Sequence, residues 1–139
     1  MYRYRGTNHG MFFYSLCKIT LIHVAEAIAA DLRHKNLSGI AAVALTPGYL
    51  RSEAMLDGWH VTEEEWQEQA RKKEIEEGRA ALSDGGCESP RYVGRAVVAL
   101  SSDPNVTSKS GQALSTGQLM KEYDFKDVDG RQPYWDWSA

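Results

Sequence analysis

The stretch from Met11 to Arg33, MFFYSLCKITLIHVAEAIAADLR, constrains the fold more than any other part of the chain. It is apolar-rich, its charges are few and well spaced, and neither Gly nor Pro interrupts it. Such a run predicts one long helix buried in a core. A short polar turn, His34 to Gly39, follows it. Then comes Ile40 to Leu45, IAAVAL, a continuous apolar run of strand length that ends in Thr46-Pro47-Gly48. Helix, buried strand and Pro-Gly loop, in that order, fit a doubly wound α/β sheet, whose parallel strands are covered on both faces and so read as unbroken apolar runs. A helix feeding such a strand normally crosses over from an earlier strand of the same sheet. No strand is expected in Met1 to Gly10, a polar, turn-rich N-terminal arm with Gly6, Asn8 and Gly10.

Tyr14 and Lys18 stand four residues apart in the long segment. At about 3.6 residues per turn, the phenol and the ammonium share one helix face, a turn apart. A phenol with a pKa of about 10 is a poor acid and a poorer base at neutral pH unless its anion is stabilised, and a neighbouring Lys cation does this. The pair is therefore a candidate proton donor and acceptor.

The length of 139 residues suits a single domain, 1–139, with enough chain to bury its own core. With 42% hydrophobic and 25% charged residues the chain reads as globular, and a net charge of -3 gives no reason to expect nucleic acid as a partner. Lys18, His23, Glu26 and Asp31 break up the longest apolar stretch and would be costly in hydrocarbon, so no membrane partner is expected either. No secretory cleavage pattern follows the N-terminal arm, and a cytoplasmic location is expected by default. Cys17 lies in the apolar segment and Cys87 in a predicted loop, with no second Cys nearby to form a metal knuckle or a redox pair.

Further along, Tyr49 to Trp59 reads as a connecting loop with Trp59 docked on the core. Thr62-Glu63-Glu64-Glu65 is a capping box that should start a helix running through Trp66, Ala70 and Ile75 toward Gly78, its charged face solvated. Ser83 to Glu88 is a turn cluster. Ser89 is the expected N-cap and Pro90 the first residue of a helix with a buried stripe of Tyr92, Val93, Ala96, Val97 and Leu100, ending before Pro104. Gln112 to Ser115 is a short final strand, and 123–139 is an aromatic C-terminal tail that should dock on its own domain or on a partner subunit. The Asp residues of that tail lack the register of a calcium loop, so no metal site is expected.

Tyr14-Ser15-Leu16-Cys17-Lys18, the run IAAVAL, and Pro47-Gly48-Tyr49-Leu50-Arg51-Ser52 together resemble the Tyr-x-x-x-Lys helix and following Pro-Gly loop of the short-chain dehydrogenase/reductase family, and the similarity extends to about Gly130. The resemblance implies the C-terminal half of a Rossmann-like fold in which the final strand pairs beside Ile40 to Leu45. It implies hydride transfer between an NAD or NADP nicotinamide and a small carbonyl or alcohol substrate, with Tyr14 moving the proton. Lys18 would tune Tyr14 and hold the nicotinamide ribose, and Pro47, Gly48, Leu50 and Ser52 would shape the nicotinamide pocket, beside a segment that covers the substrate.

The family's glycine-rich turn is not matched, since no G-x-G-x-x-G occurs in the chain, and the Ser that usually joins Tyr and Lys would fall at Met1. The expectation is thus a catalytic C-terminal half, inactive by itself and prone to homo-oligomerise. The alternative is a noncatalytic, truncated chain of the same ancestry that serves as an oligomerisation or partner-binding module. A third reading, a small α/β interaction protein outside the family, leaves Tyr14 and Lys18 without chemistry.

Overall fold

The computed structural model describes residues 11–77 and 86–134. In chain order its elements are α1 (Phe12–His34), β1 (Ala44–Thr46), β2 (Tyr49–Leu50), α2 (Glu53–Trp59), α3 (Trp66–Glu77), β3 (Cys87–Glu88), α4 (Pro90–Ser102), a 3-10 turn (Val106–Lys109), β4 (Ala113–Ser115) and α5 (Thr116–Tyr123). Helices are interspersed with short strands that pair in parallel as two two-stranded sheets, a mixed α/β arrangement. The described residues divide into two compact units, one built from those up to Thr46 with Leu100–Ser115, the other from Pro47–Ala99 with those from Thr116 onward.

In the first unit, α1 forms where the uninterrupted apolar segment predicts it and stops through local chemistry. Asn36 adopts a left-handed backbone with φ of 55°. The Leu37 amide then bonds the Leu32 carbonyl at 2.9 Å and the Asn36 amide the Arg33 carbonyl at 3.1 Å, closing a Schellman turn over carbonyls the helix cannot satisfy itself. The expected burial does not hold. Of the residues of α1 only Ala25 and Ala29 are buried, while Phe12 is 70% and Phe13 78% exposed. The apolar residues ring the helix, so the elements of this unit cover only its small-residue strip. By length and composition α1 is also the one described helix that could cross a membrane.

The strand after α1 is shorter than expected and half-buried rather than buried, running from Ala44 to Thr46 instead of Ile40 to Leu45. It pairs in parallel with β4, Ala44 against Ala113 and Thr46 against Ser115, which is the pairing the resemblance implied. Upstream, the Ala42 amide bonds Ser110 Oγ at 3.1 Å and the Ala42 carbonyl accepts from the Gly111 amide at 2.7 Å. These bonds extend the contact between the two segments upstream of the ladder. Gly111 has φ of +85°, and a Cβ there would sit 3.2 Å from the Ala29 Cβ, so both backbone and packing demand glycine.

In the second unit, β2 and β3 pair in parallel, Tyr49 with Cys87 and Leu50 with Glu88. Trp66, Ala70 and Cys87 form a core against which Tyr49, Leu56, Trp59 and Val61 pack. The expected loop from Tyr49 to Trp59 is instead strand β2 followed by helix α2. Ser52 caps α2 by accepting the Met55 amide at 3.3 Å, and left-handed His60 ends it. Leu56 and Trp59 on α2 turn to the core, so the Trp docks as expected but from a helix.

Cys87 is likewise in a strand rather than a loop, and Ser83 to Gly85 of the expected turn lie outside the described residues. Half of the capping box is present. The Glu65 carboxylate reaches back to the Thr62 amide at 3.0 Å, but the Thr62 hydroxyl donates to that carboxylate at 3.0 Å instead of capping an amide, and α3 begins at Trp66. Helix α4 starts at Pro90 and ends before Pro104 as expected, with Tyr92, Ala96 and Leu100 buried and Val97 exposed. Of the aromatic tail, Phe125 packs on Tyr92 with ring centroids 4.9 Å apart and Tyr134 lies under the Lys121 ammonium. Trp135 and Trp137 fall outside the described residues, as does the arm 1–10.

Candidate active site

Tyr14 and Lys18 occupy successive turns of α1. The Lys18 ammonium sits 5.1 Å from the centre of the Tyr14 ring, close enough for a cation–π attraction that holds the two groups together. Tyr14 is 49% exposed, so its phenol is open to a ligand or to solvent. What the spacing required of the helix face is therefore met.

The loop residues belong to the second unit. The Gly48 amide donates to Oε1 of Glu88, a side chain that is only 1% exposed. Oε2 of the same carboxyl accepts the Thr116 hydroxyl at 2.7 Å. Leu50 lies in β2 opposite Glu88, and the next residue, Arg51, donates its amide to the Glu88 carbonyl at 3.0 Å. Ser52 Oγ accepts from Met55 and keeps its own proton to donate. Glu88 thus organises the loop through both backbone and side chain, a role that sequence reading missed. The only signal lay in its position just before Ser89-Pro90, where a carboxylate closes a turn cluster and opens a helix.

Burial pushes the Glu88 carboxyl up from the ordinary 4.5 to about 7, outweighing the Thr116 and Gly48 hydrogen bonds that favour its anion, with the Asp127 charge adding to the rise. Burial also carries the Cys87 thiol up to about 12, which marks it as a packing residue rather than a nucleophile. The Tyr92 phenol is raised too, first by burial and then by the charges of Glu88 and Asp127. Its hydroxyl donates to the Pro133 carbonyl at 3.0 Å.

A second buried carboxylate, Asp127, holds the start of α4. It takes the Ser89 amide at 2.8 Å and the Ser89 hydroxyl, while the Ser89 carbonyl, just ahead of α4, accepts the Tyr92 amide at 3.0 Å. Buried Arg51 lies 3.7 Å from Asp127, bonds Glu63 at 2.8 Å and stacks 4.6 Å from the centre of the Trp66 ring. For Asp129, burial acts to raise the carboxyl, but hydrogen bonds from Arg131 and the charges of Arg131 and Arg51 outweigh it and leave it lowered.

Two clefts are lined by described residues. One of about 510 Å³ lies in the first unit along Ala29, Leu32, Arg33, Ile40 and Ser110. The other, of about 240 Å³, lies in the second unit along Arg51, Glu63, Trp66 and Asp129. Neither is lined by Tyr14, Lys18, Pro47, Gly48, Leu50 or Ser52. No group of three or more His, Cys, Asp or Glu among the described residues is arranged to hold a metal ion.

Tyr14 and Lys18 thus lie on adjacent turns of α1, in a chain whose helices are interspersed with short strands paired in parallel. No protein-family model matches the chain. It is 34% identical over 107 residues to the human protein named Dehydrogenase/reductase SDR family member 1, and 34% identical over 107 residues to the mouse protein of the same name. Each match takes in 76% of this chain and 32% of the relative, so the chain spans about a third of the length of the curated relatives it matches. Over that region the chain is a relative of the short-chain dehydrogenase/reductase family.

Between pH 4.5 and about 7 folded Glu88 holds a proton that the unfolded chain has lost, so stability falls as the pH rises through this window. The ordinary 4.5 against about 7 corresponds to a loss of roughly 3 kcal/mol. Urea denaturation of the chain at pH 5 and pH 8 is expected to show that loss, and Glu88→Gln, which keeps the shape and cannot titrate, is expected to remove it. An equal pH slope in both proteins would contradict the assignment.

Proposed function

We propose that this chain supplies the proton-handling portion of an NAD- or NADP-dependent short-chain dehydrogenase/reductase acting on a small carbonyl or alcohol. When bound, the nicotinamide supplies or receives the hydride at the carbon centre. In reduction Tyr14 Oη gives its proton to the carbonyl oxygen as that oxygen gains charge, and in oxidation it takes the proton from the alcohol. The Lys18 ammonium, held over the Tyr14 ring, has donors for the nicotinamide ribose. On the same reading Pro47, Gly48, Leu50 and Ser52 are the loop residues for the nicotinamide, with the Ser52 hydroxyl proton available to it.

One observation carries the reading: Tyr14 and Lys18 lie on adjacent turns of α1, with the ammonium over the ring, in a chain matched over 76% of its length by proteins named as dehydrogenase/reductases. The fold on this reading is the C-terminal portion of a Rossmann-like sheet, and the setting is cytoplasmic. The 139 residues contain no G-x-G-x-x-G, so turnover is expected only when a dinucleotide-binding segment is supplied. Co-expressing the chain with the part of the human relative that it does not match should yield NADPH oxidation, followed as absorbance, that needs both polypeptides and a carbonyl compound. Failure of a folded, co-purifying pair to oxidise NADPH with any of a panel of aldehydes and ketones would contradict the reading.

The exposed apolar residues of α1 favour a second reading, in which the chain works without catalysis as an association module for copies of itself. Leu16, Ile19 and Leu21 are each at least half exposed, and such a surface is most stable when another chain covers it. Sedimentation at micromolar concentration is expected to show a dimer or larger species that Ile19→Glu shifts toward monomer. A stable wild-type monomer would exclude self-association.

A further inference from the structure

We infer that Glu88 is the positioning residue of the Pro47-Gly48 turn, a buried two-armed latch whose one carboxyl oxygen holds the Gly48 amide while the other holds the Thr116 hydroxyl at the start of α5. Insofar as that turn faces the nicotinamide, the inference rests on the reductase reading above.

The geometry supports a latch rather than incidental burial. Glu88 is 1% and Thr116 1% exposed, and the residues joined are far apart in sequence, with Gly48 and Thr116 brought to one side chain. The backbone of Glu88 is held independently, since β3 pairs with β2 and the Glu88 carbonyl accepts the Arg51 amide at 3.0 Å. The side chain therefore hangs from a fixed strand. A Gly at the turn has no side chain of its own to fix it, so an amide pinned from below restricts the backbone freedom that glycine otherwise has.

The charged groups around the carboxyl are few. Asp127 acts on it as a like charge, Tyr92 feels the Glu88 charge from α4, and the Arg51 guanidinium is directed to the Cys87 carbonyl at 3.4 Å, to Glu63 and to the Asp127 and Asp129 carboxylates rather than to Glu88. With no cation among the described residues bonded to it, the carboxyl lies close to the balance between its two forms, as its rise to about 7 reflects. Both forms keep the latch shut. The anion accepts both hydrogen bonds. The acid still offers its carbonyl oxygen to Gly48 and donates its proton to Thr116 Oγ. The Gly48 bond is shorter and stronger in the anion, so protonation loosens the grip without opening it.

The test follows the Gly48 amide by NMR in the full chain, with the Ala96 amide in α4 as internal reference. In the wild-type protein the Gly48 amide should be protected from hydrogen exchange and its proton resonance should move downfield with one inflection near pH 7. Glu88→Gln, which retains an oxygen for Gly48 and an amide for Thr116, should keep the protection and lose the inflection. Glu88→Ala should raise Gly48 exchange about tenfold or more with Ala96 unchanged. Thr116→Val, which removes one arm only, should raise it by a smaller factor and serves as the variant to read if Glu88→Ala does not fold.

An unprotected wild-type Gly48 amide, wild-type exchange rates in both truncating variants, or an inflection that survives Glu88→Gln would overturn the latch. These readings need no coenzyme. A latch that holds in a chain giving no reconstituted reductase activity would sink the reductase reading alone, and activity with a free Gly48 amide would sink the latch alone.

Discussion

A carboxyl group taken out of water must be met by donors, and the second unit is arranged to meet two. Glu88 and Asp127 each have a fully buried side chain, and between them they hold Gly48, Thr116 and Ser89, residues that begin or end neighbouring elements. An unpaired carboxylate in such a place is destabilising by several kcal/mol, so these bonds fix the chain path rather than decorate it. Hydrophobic packing of Trp66, Ala70 and Cys87 supplies the driving force nearby. The carboxyls decide which loop goes where.

The first unit shows the opposite balance. Its helix carries the candidate proton-transfer pair on an exposed face, and its buried surface is confined to a strip of small residues meeting Gly111. The unit depends on the parallel pairing of β1 with β4 and on close approach of backbones, with little large apolar burial. Its apolar residues are mostly at the surface. Tyr14, about half exposed, lies on that face beside the Lys18 ammonium.

Where the signal was local, the sequence was legible. Absence of Gly and Pro marked α1, Ser-Pro marked the start of α4, Pro104 its end, and the apolar run before Thr46-Pro47-Gly48 marked a parallel strand. The pairing of that strand with Ala113–Ser115 came from family resemblance, not from periodicity. Exposure of α1 was not legible, because an apolar helix reads the same whether or not anything covers it. Helix α2 was hidden by the mixed composition of Tyr49 to Trp59, although Ser52 caps it and Leu56 and Trp59 pack it on the core. Glu88 was hidden most completely, since a Glu after Gly-Gly-Cys looks like turn polarity until the loop forty residues earlier is seen to bind it.

The account turns on the phenol of Tyr14 being the group that moves the proton. The most direct measurement is the single-turnover rate of carbonyl reduction by the reconstituted enzyme carrying Tyr14→Phe, compared with Tyr134→Phe as an exposed-tyrosine control. Loss of the phenol should slow the chemical step by about 100-fold or more while NADPH affinity stays within a few fold, and the control should be unchanged. A Tyr14→Phe enzyme that turns over at the wild-type rate would contradict the account.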